Sequence, residues 1–211
     1  MLPDNLTKRR SHFFMKLFYT PNSPYARIAR VTALELNLGD RIQMQKVTVR
    51  DSNSDLLHYN PTGKVPTLAT DDGFILSESR IICVYLNHFN PEIKVVADIS
   101  NGFLQQLEGI AGGFIDGIAV WVREFRRPLT EQSPGVIELE LTRALRIINY
   151  FEKISEKLDQ TPKLAHITMA SALGLESRLP QLQWRQNYPK LAQWYDEFSG
   201  RPSFQLTKPE S

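Results

Sequence analysis

Short apolar runs alternate with helical patterns along the first part of the chain. Strands are predicted where compact apolar or aromatic runs occur, at residues 15–20, 41–49, 65–70 and 74–77. Helices are predicted where apolar residues recur at helical spacing, at residues 23–38 and 77–89. Asp71-Asp72-Gly73 separates the last two strands and is typical of a hairpin turn. The order strand, helix, strand, hairpin and helix predicts a small mixed sheet.

The pattern changes after about residue 95, where the strand signals end and helical periodicity remains. Helices are predicted at residues 101–125, 135–158, 166–179 and 188–200. The strand–helix–strand opening implies a parallel crossover, and the hairpin adds antiparallel strands. We therefore predict an α/β domain followed by an all-α domain. The predicted division is an N-terminal extension at 1–14, an α/β domain at 15–94, a linker at 95–101 and a helical domain at 102–211.

Composition and charge argue against several classes of protein. The chain has 211 residues, with 25 Lys and Arg against 23 Asp and Glu, a formal net charge of +2. That balance lacks the basic excess of a nucleic-acid-binding protein. Cys83 is the sole cysteine, no apolar run is long enough to span a bilayer, and the four histidines lack the spacing of metal ligands. We expect a cytoplasmic protein with no disulfide, metal, membrane or nucleic-acid partner.

The segment NPTGKVPTL, residues 60–68, places a proline near the start of a predicted strand. Proline has no N–H for the ladder, so Pro66 suits the first residue of an edge strand with a trans Val65–Pro66 bond. A cis bond would instead turn the backbone outward and leave the N–H and C=O of Val65 unpaired. Such groups need partners, and an extended peptide supplies them by pairing as an added strand. The residues alone leave both forms open.

Two predicted helix starts carry hydroxyl residues. Ser23 precedes Pro24, which is typical of an N-cap followed by proline at the first helical position. A hydroxyl there also lies where the helix dipole favours an anion such as a thiolate, and it can accept a backbone N–H while donating outward. Glu78 and Ser79 open the later helix as ordinary capping residues. The pair equally suits a zwitterion, with Ser79 holding a carboxylate and Glu78 an ammonium group.

Three motifs together resemble the glutathione transferase family of the bacterial type with a serine at the active site. They are SPYARIAR at 23–30, NPTGKVPTL at 60–68 and LSESRIICVYL at 76–86. The resemblance covers nearly the whole chain from Met15. It implies a thioredoxin-like N-terminal domain, an all-helical C-terminal domain and a homodimer. SPYA is also similar to the Cys-Pro-Tyr-Cys corner of glutaredoxins with both cysteines replaced, which argues against dithiol redox chemistry.

The resemblance also implies how glutathione, as a co-substrate, would be bound. Its cysteinyl backbone would pair with Val65 beside a cis Pro66. Glu78 and Ser79 would hold its γ-glutamyl end, and Lys64 is a candidate for its glycyl carboxylate. These roles come from the family motif, and each falls on a matching residue of this sequence.

The implied activity is transfer of glutathione to a hydrophobic electrophile, as in detoxification. Ser23 would hydrogen-bond the thiol sulfur and help it to ionise, and the thiolate would attack the electrophile. The alternative is a transferase-like regulatory or stress protein that acts by binding protein partners. Relatives of the stringent-starvation type share an ESR motif like that at residues 78–80. The presence of Ser23 together with Val65 and Pro66 favours the enzyme.

The predicted helix at 101–125 carries the candidate electrophile site. The helix is unusual in containing Gly109, Gly112, Gly113 and Gly117. The residues that fall on or near one of its faces are Gly109, Gly112, Gly113, Asp116, Val120 and Arg123. One interpretation is a cleft-lining face with room for an electrophile, contacted by Asp116, Val120 and Arg123. The other is close helix packing, including packing in a homodimer.

The late C-terminal helix departs from the family pattern. The family usually opens this helix with a Ser/Thr-x-x-Asp capping box. The matching segment here, residues 163–166, reads Lys-Leu-Ala-His and has neither cap residue. We expect this departure to affect local stability more than chemistry.

Overall fold

A computed structural model describes residues 15–210, so the predicted extension at 1–14 lies outside the described residues. The strands are β1 (Met15–Tyr19), β2 (Ile42–Lys46), β3 (Thr67–Ala69) and β4 (Ile75–Ser77). They form one four-stranded sheet in the order β2-β1-β3-β4. β1 pairs parallel with β2 and antiparallel with β3, and β4 pairs antiparallel with β3. The parallel pair and the hairpin are as predicted.

Eight α-helices surround and follow this sheet within residues 15–210. The first three are α1 (Pro24–Glu35), α2 (Leu56–Tyr59) and α3 (Ser79–His88). After residue 95 the elements are α4 (Gly102–Phe125), α5 (Pro134–Ile154), α6 (Leu164–Leu173), α7 (Pro189–Ser199) and α8 (Pro202–Leu206), with short helical turns between them. None of the helices within residues 15–210 is long and apolar enough to cross a membrane. The short α8 was not predicted.

The sheet core forms around the central strand β1. Leu17 of β1 and Leu68 opposite it on β3 are both fully buried, and α1 packs against α3. Cys83 of α3 is buried there, and its thiol donates to the Thr32 hydroxyl at 3.3 Å. Burial raises the pKa of the Cys83 thiol to about 12. The residue therefore belongs to the core and stays a neutral thiol at physiological pH.

Helix α6 joins the sheet region to the helical region. All ten of its residues are buried, as expected of a helix that is apolar on every side, and it packs against both α1 and α4. A second connection runs from the end of the chain to α1. Arg201 donates from Nε and Nη2 to the two carboxylate oxygens of Glu35, at 2.9 and 2.8 Å. Such a bidentate pair fixes direction as well as distance.

The start of α6 lacks a side-chain cap, in agreement with the missing capping box. Backbone and histidine groups take its place. The Leu164 N–H donates to the carbonyl of Val95 at 2.9 Å, and Nδ1 of His166 lies 2.7 Å from the carbonyl oxygen of Thr161. His166 is buried, and within the described residues its Nε2 has no partner. We assign the neutral tautomer with the proton on Nδ1, because only that nitrogen faces an acceptor.

The buried His166 predicts a loss of stability in mild acid. Burial holds its pKa below the ordinary 6.5, and this outweighs the Asp159 carboxylate 3.8 Å away, which raises it. Below about pH 6.5 the unfolded chain therefore binds a proton that the folded chain does not. The free energy of unfolding should fall with decreasing pH, by up to about 1.4 kcal/mol per pH unit from this group. Urea unfolding of wild type and His166→Asn between pH 7.5 and 5 measures the difference.

The exposed His88 provides the matched control for that series. His166→Asn should flatten the pH dependence of the wild type, and His88→Asn measures how much replacing an exposed histidine changes it. Equal slopes for wild type and His166→Asn would show that His166 is not the group responsible.

Candidate functional site

A cavity of about 690 Å³ lies between the sheet and α4. That volume is within the range of small-molecule sites. Its walls are the turn after β1, the segment before β3, the start of α3, the inner face of α4 and the chain after α6. Eight of the nine residues predicted from the sequence line it, namely Ser23, Lys64, Val65, Pro66, Glu78, Ser79, Asp116 and Arg123.

The backbone before β3 presents an unpaired edge to this cavity. The Val65–Pro66 bond is cis, and Pro66 is buried. Within residues 15–210 neither the N–H nor the C=O of Val65 has a hydrogen-bond partner. The carbonyl before it is held instead, because the Thr67 hydroxyl and the Asn60 amide donate to the Lys64 oxygen at 2.8 and 3.3 Å. Val65 is therefore available to pair with an extended peptide.

Glu78 and Ser79 form a polar corner at the start of α3. Glu78 precedes the helix with φ 71°, a left-handed backbone conformation that is rare for a residue other than glycine. Its side chain makes no capping hydrogen bond, so the first N–H groups of α3 remain open at the cavity. A strained residue of this kind is a mark of functional sites. The corner combines a carboxylate, a hydroxyl and the positive end of a helix dipole.

Ser23 is the N-cap of α1, and its Oγ accepts the Ala26 N–H at 3.1 Å. The prediction that Ser23 is a helix N-cap is therefore confirmed. Because the hydroxyl oxygen is the acceptor in that bond, its proton is still available to a group in the cavity. Capping and donation to a ligand are compatible at this residue.

Tyr25, two residues further along, is committed to a different partner. Its hydroxyl donates to Oδ1 of Asp116 at 2.6 Å, connecting α1 to α4. Burial raises the pKa of Tyr25 well above its ordinary value, and the bond to Asp116 raises it further. The phenol therefore stays protonated, with its proton directed at the carboxylate rather than at a ligand.

Helix α4 contributes to the cavity through a face slightly different from the predicted one. Asp116 and Arg123 line the cavity, but Val120 is half-buried and does not. Ala119 and Val122 provide the apolar lining in its place. The difference is small, because Ala119 and Val120 are at positions i+3 and i+4 from Asp116, and these positions are adjacent on one face of a helix.

The glycines of α4 divide between the two predicted roles. Gly109 and Gly112 line a second cavity of about 410 Å³, which also contacts Tyr25 and Asp116. A Cβ at either glycine would meet nothing within 4 Å, so neither serves close packing inside the chain. Gly117 differs, because a Cβ there would come within 2.5 Å of the Glu140 carboxylate on α5. Cleft lining and close packing thus both occur along one helix.

Comparison with known proteins identifies the family. The family model described as "Glutathione S-transferase, N-terminal domain" matches residues 22–88. A crystal structure of a glutathione S-transferase from Methylobacillus flagellatus KT with glutathione bound is 35% identical, with a TM-score of 0.84, and the match covers 93% of this chain and 100% of that one. This chain belongs to the glutathione transferase family. The predicted fold class, with a thioredoxin-like N-terminal region and an all-helical C-terminal region, is confirmed.

Relatives from two other organisms are also similar to this family member over nearly its whole chain. A glutathione transferase family member from Pseudomonas fluorescens Pf-5 with bound glutathione is 30% identical with a TM-score of 0.86, covering 93% of this chain and 100% of that one. Another structure of a glutathione transferase family member from that organism contains S-(propanoic acid)-glutathione. It is 29% identical with a TM-score of 0.81, covering 93% of this chain and 98% of that one. The uncharacterized GST-like protein YibF of Escherichia coli K12 is 27% identical over 201 residues, covering 92% of this chain and 98% of that protein.

Four polar residues at the cavity of this transferase-family chain were not predicted from the sequence. The first is Tyr25, and the one signal for it was the lone Asp116 in an otherwise apolar helix, which suggested a polar partner. Arg50, Arg126 and Arg178 also line the cavity. They come from the loop after β2, the end of α4 and the chain after α6. No local pattern connects three arginines so far apart in sequence.

The hydrogen bond between Tyr25 and Asp116 should couple the two walls of the cavity energetically. A double-mutant cycle of Tyr25→Phe and Asp116→Ala should give a coupling of about 1 kcal/mol in the free energy of unfolding. We expect a coupling below the roughly 1.5–3 kcal/mol typical of hydrogen bonds to charged groups, because Asp116 is exposed and water competes for it. Tyr85→Phe is the control, since its hydroxyl has no bond to Asp116, and it should combine additively with Asp116→Ala. A coupling near zero in the first cycle would contradict the bond.

Proposed function

We propose that this chain is a glutathione transferase that binds glutathione in the 690 Å³ cavity and activates its thiol for attack on a hydrophobic electrophile. The observation that carries the proposal is the convergence of three features on one cavity. These are the unpaired backbone of Val65, the open start of α3 at Ser79 and the hydroxyl of Ser23. Each feature suits one part of a γ-glutamyl tripeptide.

In this proposal the tripeptide is held mainly by backbone and charged groups. Its cysteinyl N–H and C=O pair with Val65 as a short added strand beside Pro66. Its γ-glutamyl carboxylate lies at the start of α3, near the hydroxyl and N–H of Ser79, where the helix dipole favours an anion. Glu78 accepts the ammonium group, and Lys64 pairs with the glycyl carboxylate. The bound glutathione structures of two relatives support this co-substrate.

Ser23 acts on the sulfur rather than on the peptide. Its hydroxyl proton donates to the thiolate while its oxygen continues to cap α1. A donor and a helix start both favour the charged form of the thiol, so its pKa falls. Tyr25 is not the donor in this proposal, because its own proton is directed at Asp116. Catalysis then rests on positioning and on a larger thiolate fraction.

The electrophile occupies the part of the cavity next to α4. Ala119 and Val122 provide apolar contact, and Asp116 and Arg123 are the polar residues nearby. Thiolate attack at a carbon that carries a leaving group forms a sulfur–carbon bond, and the leaving group departs with the electron pair of the bond that breaks. The product is a thioether. The S-(propanoic acid)-glutathione bound to a relative is a thioether of this kind and supports the reaction class. The proposal places the reaction in the cytoplasm, as part of detoxification.

The alternative is a regulatory or stress protein that keeps the fold and acts by binding other proteins. The unpaired Val65 and the open α3 start favour the enzyme, because a protein-binding role needs neither. Retention on glutathione–agarose, followed by turnover of a panel of electrophiles, distinguishes the two. The binding-protein alternative expects no retention.

Two serine variants should separate thiol activation from binding. Ser23→Ala removes the donor to the thiolate, so the pKa of bound glutathione should rise and kcat should fall about ten- to a hundred-fold. Ser79→Ala should instead weaken glutathione binding and leave the thiol pKa near normal at saturation. Ultraviolet titration of the bound thiolate and steady-state kinetics measure both effects.

The melting temperature of Ser23→Ala must be measured alongside, because loss of a cap costs about 1 kcal/mol on its own. Ser23→Thr serves as the matched variant, since it keeps the hydroxyl for both roles. An unchanged thiol pKa in a well-folded Ser23→Ala protein would leave Ser23 as a helix cap only.

We further propose a homodimer, as the family resemblance implies. Two apolar side chains about one turn apart on α3 support it, because Ile81 and Val84 are 54% and 43% exposed and a partner subunit would cover them. Light scattering at micromolar concentration should give twice the chain mass. Ile81→Glu should shift this to the monomer, whereas Leu206→Glu, at an exposed leucine on α8, should not. A wild-type monomer would contradict the proposal.

A further inference from the structure

The cavity beside Ser23 contains more positive charge than its own residues neutralise. Five cationic side chains line it against two carboxylates, Glu78 and Asp116. The cations are Arg50, Lys64, Arg123, Arg126 and Arg178. Among residues 15–210 none of these five forms an ion pair with a carboxylate. A cleft lined mainly by one sign of charge attracts ligands of the opposite sign.

Three of the arginines lie on the helical wall, near the proposed position of the sulfur. Arg178 donates a hydrogen bond to the side-chain oxygen of Asn22, the residue before Ser23. Arg123 and Arg126 lie about one and two turns after Ala119, toward the C-terminal end of α4. The arginine cluster therefore borders the same space that the electrophile occupies in the proposed function.

Arg126 is the least satisfied member of this cluster. Arg123 donates to the Ala119 carbonyl at 3.0 Å and Arg178 to Asn22, but Arg126 has no side-chain partner in the described part of the chain. Its pKa is lowered by burial first and then by the charges of Arg50, Arg178 and Arg123. Mutual repulsion of this kind disappears when an anion binds among the cations.

Bound glutathione does not account for the whole cluster. Its two carboxylates are directed at the start of α3 and at Lys64, both on the sheet side of the cavity. On the opposite wall, Arg123 is on α4, Arg126 is the C-cap of α4, and Arg178 follows α6. An anion between them must therefore come from the second substrate.

We propose, resting on the transferase function above, that the second substrate is an electrophilic carboxylic acid. Its carboxylate is bound by Arg123, Arg126 and Arg178, and its apolar part contacts Ala119 and Val122. Guanidinium groups suit this role because they bind carboxylates with two parallel hydrogen bonds. In the reaction with a halomethyl acid, the thiolate sulfur bonds to the halogen-bearing carbon, and the halide leaves with the electron pair of the broken bond. The carboxylate is unchanged.

The test compares two thioethers that differ by one group, S-(4-carboxybenzyl)glutathione and S-(4-methylbenzyl)glutathione. Titration calorimetry on the full chain measures their affinity without requiring turnover. We expect the carboxylate form to bind about ten-fold or more tightly, with a difference that shrinks as ionic strength rises. Arg126→Gln should remove most of that difference and leave the affinity for glutathione unchanged.

The adjacent Arg127 provides the matched control. It lies outside the cavity and pairs with Glu124 at 3.5 Å and Glu131 at 4.0 Å, so Arg127→Gln makes the same charge change away from the site. That variant should keep the full preference for the carboxylate form. Arg123→Gln gives a second site variant and should also reduce the preference.

The outcomes separate this inference from the proposed function. Equal affinity for the two thioethers, or an equal loss in Arg126→Gln and Arg127→Gln, overturns the inference. It is also overturned if Arg126→Gln weakens glutathione as much as the thioether, because the arginine then serves the tripeptide. Turnover of 4-(bromomethyl)benzoate with glutathione tests catalysis separately. Tighter binding of the carboxylate thioether without turnover supports the anion site and contradicts the transferase function. Turnover with equal binding of the two thioethers supports the transferase function and contradicts the anion site.

Discussion

Helix α6 is buried on every side between α1 and α4, the two helices that contribute Ser23, Tyr25, Asp116 and Arg123 to opposite walls of the cavity. The two walls of the site come from segments that are distant in sequence, and the hydrogen bond from Tyr25 to Asp116 spans 91 positions. Neither wall alone makes a site. Because close-packed interiors resist displacement, a fully buried helix between the walls keeps Ser23 and Arg123 at a fixed separation. The electrostatics of the cavity depend on that rigidity.

Two helix starts face this space, and both leave backbone N–H groups or a hydroxyl directed into it. At α3 the chain accepts a left-handed Glu78, a conformation that costs about 1–3 kcal/mol for a residue with a side chain. The cost is offset by the buried core beneath, in which Ile82, Cys83 and Leu86 of α3 are fully covered. The result is a polar corner suited to a zwitterion, held on a rigid helix.

Neighbouring hydroxyl groups at the start of α1 have separate tasks. The oxygen of Ser23 caps the helix and its proton stays available, whereas the proton of Tyr25 is directed at Asp116. A tyrosine with a raised pKa remains neutral and serves the connection between walls. In the proposed function, this division leaves the thiol chemistry to Ser23, beside a group of arginines that favours negative charge near the sulfur.

The sequence by itself determined the elements and the residues that act through local geometry. The β1–α1–β2 order, the hairpin, and the placement of Ser23, Val65, Glu78 and Ser79 follow from apolar periodicity, helix caps and turn residues, which act over a few positions. The tertiary structure decided the rest. Three features arise where separate elements pack together. They are the cis bond at Pro66, the lining of the cavity by Ala119 and Val122 rather than Val120, and the proximity of Arg50, Arg126 and Arg178. Such juxtapositions depend on the orientation of one helix against another, and short-range patterns in a single chain do not encode that orientation.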